Sequence, residues 1–360
     1  MKALFILGYP PHTAPAQRFR CEQWLRLLPT GSIDVQHESL MTPGSYSILY
    51  EPGHVARKAS IVLRGLLKRV SAVARAGRFD VCFIGREAFP LGPPLVERLL
   101  ERRLPVVFDL DDAIFLGDVS AANRSIARFK MPAKVGEIVE LATVVTAGNS
   151  WLADWARQRA KAVEVIPTTI DVDHHKPQPQ DPRAAVTVGW SGSKTTAQHL
   201  HSIDGALATV LEDPRVSVSV VGDRTFALPG SNRGVHAKSW SEAEEVADLA
   251  SFDIGLMPLP DNDWSRGKCG AKALLYMAMG VVPIVSPVGV NTDIVHHGEN
   301  GMIASTEAGW VEAIRLLASD PQLRADLGEQ ARATVVERYS GQAWAPTFLD
   351  VLERAASTRV

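Results

Sequence analysis

Cysteine is scarce and dispersed. Cys21, Cys82 and Cys269 are the only three in 360 residues, with no CxxC pair and no spacing that suggests a disulfide framework, which suits a reducing cytoplasm. Net charge is nearly absent too: 38 Lys and Arg against 40 Asp and Glu leave −2, so there is no general attraction for nucleic acid and any basic surface must be local. Long apolar runs are also missing. Ala3–Leu7 is too short for the apolar region of a secretory signal and stops at Gly8 and Pro10, so it is expected to be a first strand. Ala273–Thr292 is twenty residues without a charge, but Gly280, Pro283, Ser286, Pro287, Gly289 and Asn291 divide it into helix, turn, strand and loop rather than a membrane span. No internal sequence repeat is present.

What is present is a 46% hydrophobic, 22% charged chain long enough for two domains of ordinary size. In residues 1–170, apolar strands are expected at Lys2–Leu7, Val81–Ile84, Pro105–Leu110, Thr143–Thr146 and Val163–Ile166. Helices are expected at Ala14–Leu28 and Pro94–Arg103, and from the N-capping pair Asn149-Ser150. Residues 171–184, rich in Pro, His and Gln, read as a linker. A second alternating set fills 185–338: strands at Val186–Trp190, Val216–Val221, Val235–Ser239, Asp253–Pro258 and Val281–Val285, with helices at Thr195–Leu211, Glu242–Ala250 and Glu307–Val336 (broken near Asp320-Pro321). A last helix, 343–356, is expected to pack back on the first domain. The fold class is α/β, two doubly wound Rossmann-like domains whose strand ends face across a cleft, the expected ligand site.

The stretch Trp264–Gly301 carries the clearest chemistry. Gly270–Met279 reads as a buried helix stopped by Gly280, yet Arg266, Lys268 and Lys272 crowd its N-terminal end. That end already has positive potential from unpaired amides, so cations belong there only if an anion such as a phosphate sits among them. Cys269 and Gly270 would add main-chain N–H groups at the same point. The plain alternative is three solvated loop cations.

With this stretch and the architecture in hand, the chain resembles the GT-B glycosyltransferases, in particular the large retaining family 4. The resemblance rests on Lys268-Cys269-Gly270 with Lys272, Tyr276–Gly280, Ser286–Asn291, Gly298–Gly301, Pro167–Asp171 and Ala147–Ser150 in order. It implies a C-terminal domain that binds a nucleotide-diphosphate sugar and an N-terminal domain that binds the acceptor. Arg266, Lys268, Cys269, Gly270 and Lys272 would hold the diphosphate, helped by the loop Gly192-Ser193-Lys194. Lys238, Trp240 and Leu275 would lie in the base and ribose region, and Tyr9, Arg18 and Arg20 toward the acceptor. The reaction implied is transfer with retention to a hydroxyl of a glycan or lipid-linked acceptor, with no cofactor or essential metal expected because fixed cations already stabilise the leaving diphosphate. Cell-surface polysaccharide synthesis is the expected setting. The chain departs from the family's pattern where a pair of glutamates would fall on Gly267 and Leu275, and where a strand-end Arg would fall near Trp190. A GT-B protein that binds a nucleotide sugar without efficient turnover therefore stays open.

Phe108-Asp109-Leu110-Asp111-Asp112-Ala113-Ile114-Phe115 carries competing readings. In the transferase, Asp109 or Asp111 would hydrogen-bond the donor sugar or orient the acceptor hydroxyl. In a metal-dependent phosphatase, Asp109 would be the nucleophile, although Ala113 stands where Thr is expected and no later GDxxxD follows. Loop carboxylates capping the next helix are the plain alternative. Finally, Arg57–Arg78 holds seven basic residues and no acidic one among apolar residues. It reads either as a helix lying on an anionic bilayer, which would make this cytoplasmic chain peripheral on the inner face of the membrane, or as a core-facing helix with a solvated basic face.

Overall fold

The computed structural model describes residues 1–49, 53–117, 130–179, 185–230 and 233–359. They divide into two compact units, Met1–Thr168 with Trp344–Val360, and Thr169–Ala343.

The first unit is built on six strands: β1 (Lys2–Leu7), β2 (Asp34–Ser39), β3 (Val81–Gly85), β4 (Val106–Leu110), β5 (Val144–Ala147) and β6 (Val163–Val165). All pair parallel, in the order β2-β1-β3-β4-β5-β6. Helices cover both faces, so the central strands read as unbroken apolar runs. Strand order reverses between β1 and β3, the place where loops at the carboxyl ends part to admit a ligand. On one face Phe5, Phe83 and Trp24 pack against Phe348 of the helix Gly341–Ser357. β2 escapes sequence reading because Asp-Val-Gln-His-Glu-Ser is an edge strand without apolar alternation. The expected helix at Ala14–Leu28 is present as Pro15–Leu27 but contains a π turn at Arg18–Glu22. The wider turn carries Arg18, Arg20 and Glu22 into the interior together.

The second unit holds β7 (Val186–Ser191), β8 (Val216–Val221), β9 (Val235–Lys238), β10 (Ile254–Met257), β11 (Val282–Val285) and the two-residue β12 (Met302–Ile303). All are parallel, in the order β12-β11-β10-β7-β8-β9, with the reversal between β7 and β10. The helix Ala271–Ala278 connects β10 to β11 and is buried from Ala273 to Ala278. Its Tyr276 hydroxyl accepts from the Ser191 amide at 2.9 Å and donates to the Leu256 carbonyl at 3.3 Å, tying the helix to the ends of β7 and β10.

Residues 169–179 are not the free tether that their composition suggests; residues 180–184 lie outside the described residues. Thr169, Ile170 and His175 are buried. Arg332 donates to the carbonyls of Val172 and His175, and Gln342 donates to Asp171. Polar side chains of the second unit thus satisfy a backbone that has little apolar content of its own.

Candidate functional site

In the second unit two glycines let backbone segments meet at the strand ends. After β7 the chain turns at Gly192, whose amide donates to the Val221 carbonyl at 2.9 Å, while the Gly222 amide donates to the Lys238 carbonyl at 2.8 Å. Gly222 has φ +117°, and a Cβ there would lie 1.7 Å from the Gly192 carbonyl oxygen, so no side chain fits. A Cβ on Gly192 itself would lie 2.5 Å from the buried Trp190 ring and 2.8 Å from Lys272 Cε. Trp190, Gly192 and Lys272 therefore touch, with the Lys272 ammonium 5.5 Å from the Trp190 ring centroid. Ser193 begins the turn into the next helix, its carbonyl accepting from Thr196 and Ala197, and Lys194 is exposed.

The helix Ala271–Ala278 starts at Gly270, in a left-handed conformation with φ +70°, without a side-chain cap and without an acidic residue in its first turn. Its N-terminal field is thus uncompensated from within the helix, and Lys272 adds to it. Lys268 lies with its ammonium 4.9 Å from the Trp264 ring centroid, and Cys269 is buried beside it with its thiol toward the Gly267 carbonyl. Arg266 is held differently: its guanidinium meets Asp261 at 2.9 Å and Asp263 at 3.1 Å on the surface. Leu275 is buried in the core-facing part of the helix. Lys238 ion-pairs with Glu244 and Asp248, both at 2.8 Å. Trp240 donates to Glu245 at 3.0 Å, and Glu245 also meets buried His175.

In the first unit, β4 delivers three carboxylates of unequal character. Asp109 is buried, with Arg20 bridging both its oxygens at 3.1 and 2.6 Å and the Thr146 hydroxyl donating at 2.6 Å. Arg20 also donates to the Ile166 carbonyl. Asp109 and Arg20, both expected to meet substrate, are instead each other's partner inside the unit; a buried carboxylate facing a buried guanidinium is stable only when paired. Arg18 is buried as well, 5.1 Å from the Phe19 ring centroid.

Asp111 and Asp112 stand past the strand end and share Arg86, at 3.6 and 3.7 Å. Burial pushes the Asp111 carboxyl above its ordinary range; Arg86 and Arg20 oppose this, and Asp112 and Asp109 add to it. Burial lowers the Arg86 guanidinium, but Asp111, Tyr9, Asp112 and Glu87 outweigh it and the net shift is upward. Tyr9, in the loop after β1, packs edge-on against Tyr46.

Arg86 was not legible as a functional candidate, although it directly follows β3 beside the reversal in strand order, the signal that would have found it. It sits at φ +69°, a strained conformation for a non-glycine residue, with its amide bonded to the Asp109 carbonyl. Buried charges hold this loop. Arg69 donates to the carbonyls of Leu7, Glu38 and Ala88; Glu97 accepts from the Ala88 amide; Lys134 meets Glu87 and the Phe89 carbonyl.

Residues 185–320 fit the family model for glycosyl transferases group 1. The matched residues all lie in the second unit. They include the Gly192 loop, Lys268 and Lys272. No curated protein matches the chain in sequence. Solved structures share the fold along its whole length. HepE from Anabaena, in complex with UDP and glucose, has 18% identity over 98% of this chain and 99% of its own, with a TM-score of 0.70. Sucrose-phosphate synthase from Thermosynechococcus elongatus has 14% identity over 99% of both chains and a TM-score of 0.73. A glycosyltransferase from Rickettsia africae has 12% identity over 98% of both and a TM-score of 0.66. The fold is therefore GT-B, and the residues that fit the group 1 model lie in its second Rossmann-like unit.

Proposed function

We propose that the chain transfers a sugar from a nucleotide-diphosphate sugar to a hydroxyl of a glycan or lipid-linked acceptor, with retention and without an essential metal. The observation that carries this is the contact of Lys272 with the Gly192 loop at an uncapped helix N-terminus, with Lys268 nearby in sequence. Main-chain amides and the Lys272 ammonium at one strand-end crevice suit a diphosphate, whose charge grows as the glycosidic bond breaks. Lys272, which touches the Gly192 loop, and Lys268, which shortly precedes the same helix, are the principal diphosphate ligands of this proposal. HepE is seen with UDP and with UDP-glucose, which supports testing a uridine donor first.

For the acceptor we propose the first unit, with Asp111 receiving the hydroxyl's hydrogen bond and Arg86 holding that carboxylate. Asp109 is a positioning residue here, since Arg20 and Thr146 engage both of its oxygens. The same engagement argues against an aspartyl phosphatase, whose nucleophile must be open to attack. A lipid-linked acceptor would bring the enzyme to the inner face of the cell membrane and fits a role in cell-surface polysaccharide synthesis.

The test is release of UDP from UDP-sugars with a panel of glycan and polyprenyl-linked acceptors, with Mg²⁺ and with EDTA, and the anomeric configuration of the product read by NMR. Retained product formed in EDTA supports the proposal. Nucleotide binding without product would instead favour a binding protein, the reading that Gly267 and Leu275 suggest by lacking carboxylates.

A further inference from the structure

The basic segment that the sequence singles out takes no part in this chemistry. It forms the helix Val55–Arg75, and its faces are arranged the opposite way to those of a helix that packs its apolar side inward. The side toward the unit is made by Gly65, Arg69, Ala72 and Val73, all buried. Leu63, Leu66, Leu67 and Val70 are instead 59, 40, 61 and 58% exposed, and Val55 at the start is 76% exposed. Of eleven large apolar side chains exposed among the described residues, five are on this one helix, so the pattern is not the usual scatter of surface apolar groups.

At about 100° per residue, Leu63, Leu66, Leu67 and Val70 fall within a single stripe about 100° wide, and Arg57, Arg64 and Lys68 line one flank of it. All three cations are on exposed positions, and no acidic residue occurs between Arg57 and Arg78. We propose that Val55–Arg75 is a membrane contact that lies in the plane of an anionic bilayer. The apolar stripe enters the acyl boundary while Arg57, Arg64 and Lys68 meet the headgroup phosphates. From Val55 to Val70 the contact is about 22 Å long, given the rise of an α-helix. The helix lies on the bilayer rather than across it, since no helix among the described residues is long and apolar enough to span. A second copy of the chain fits this face less well, because antiparallel two-fold pairing of the helix would bring the two rows of cations to the same side.

This inference stands apart from the transfer reading, because it is tested without donor or acceptor. The full chain is sedimented with vesicles of phosphatidylcholine alone and with about 30% phosphatidylglycerol, at low and high salt, and its mass in solution is measured in parallel. Binding to the anionic vesicles that weakens with salt is expected. Leu63→Gln with Leu67→Gln lowers the partition coefficient at least about tenfold with little change in the urea midpoint, because both side chains are already solvated. Arg57→Glu with Arg64→Glu, which leaves the apolar stripe intact, removes the preference for anionic lipid. Absence of binding to either vesicle, binding indifferent to both pairs of substitutions, or a parent dimer that the Leu pair converts to monomers would overturn the proposal; the last would assign the face to a second copy.

Discussion

Lys272 and Gly192 make one coupled prediction. If both act on a donor diphosphate, removing either weakens binding and removing both costs little more than removing Lys272. A unit charge about 4 Å from a phosphate at an effective dielectric constant of about 20 contributes about 4 kcal/mol. Lys272 is half-buried beside an open strand-end loop, so solvent screening lowers this to about 2 kcal/mol, about a thirtyfold loss of affinity for Lys272→Ala. Gly192→Ala acts through shape. Its Cβ would sit 2.5 Å from the Trp190 ring and 2.8 Å from Lys272 Cε, so the ring is pressed against the Lys272 stem that packs on it and the stem gives way. Displacing that stem costs about tenfold in affinity, and the same tenfold is absent when residue 272 is already Ala, a coupling energy of about 1.4 kcal/mol. Titration calorimetry of UDP in EDTA on the parent, both single variants and the double variant measures the cycle, with circular dichroism to confirm folding. Lys272→Ala binding within threefold of the parent by about the precision of such fits, or losses that add in full, would refute the reasoning.

Three further outcomes follow from the first unit. Arg86→Gln removes the cation that opposes the upward shift of the Asp111 carboxyl, so the acid limb of the pH–rate profile for sugar transfer moves to higher pH; an unchanged limb would separate Asp111 from turnover. Arg69→Met strips donors from the carbonyls of Leu7, Glu38 and Ala88 and lowers stability by about 3–5 kcal/mol, read from the urea midpoint; a loss under about 1 kcal/mol would contradict the bracing role. The same guanidinium is lowered to about 10, by burial first, against Glu38, Cys82 and Glu97, so it is still charged at neutral pH. Glu97 has a carboxyl raised above its ordinary value by burial first, so its folded form binds a proton more tightly than its unfolded form. The parent therefore loses stability relative to Glu97→Gln as pH rises from the ordinary carboxyl range through the raised value; urea midpoints of both proteins across that window check the sign.

The strands that decide the architecture were legible because buried parallel strands are short apolar runs bounded by turn residues. Lys2–Leu7 and Val216–Val221 match their expected bounds, and the other expected strands differ only at their ends. The helix at Lys134–Leu141 and the edge strand at Asp34–Ser39 were not, the first for its short amphipathic stretch and the second for its polar composition. At the site, motif order pointed to Lys268, Lys272 and the Gly192 loop, since backbone approach needs glycine and an anion needs cations. What the sequence withheld was partnership. Nothing local to Asp109 reveals that Arg20, 89 positions earlier, engages it, or that Asp261 and Asp263 hold Arg266. Asn300 in the His-Gly-Glu-Asn-Gly segment accepts from the His296 amide and donates to the Ile294 carbonyl, a turn-bracing place that motif matching alone would not distinguish from ligand binding.

The central claim is that the second unit holds a nucleoside diphosphate at Lys268, Lys272 and the Gly192 loop. Calorimetry of UDP, GDP, dTDP and ADP, each with Mg²⁺ and with EDTA, against the parent and Lys268→Ala with Lys272→Ala tests it most directly. The account predicts selective binding of one diphosphate by the parent, equal in Mg²⁺ and EDTA, and its loss in the double lysine variant. Binding that survives both substitutions, or that requires Mg²⁺, would contradict it.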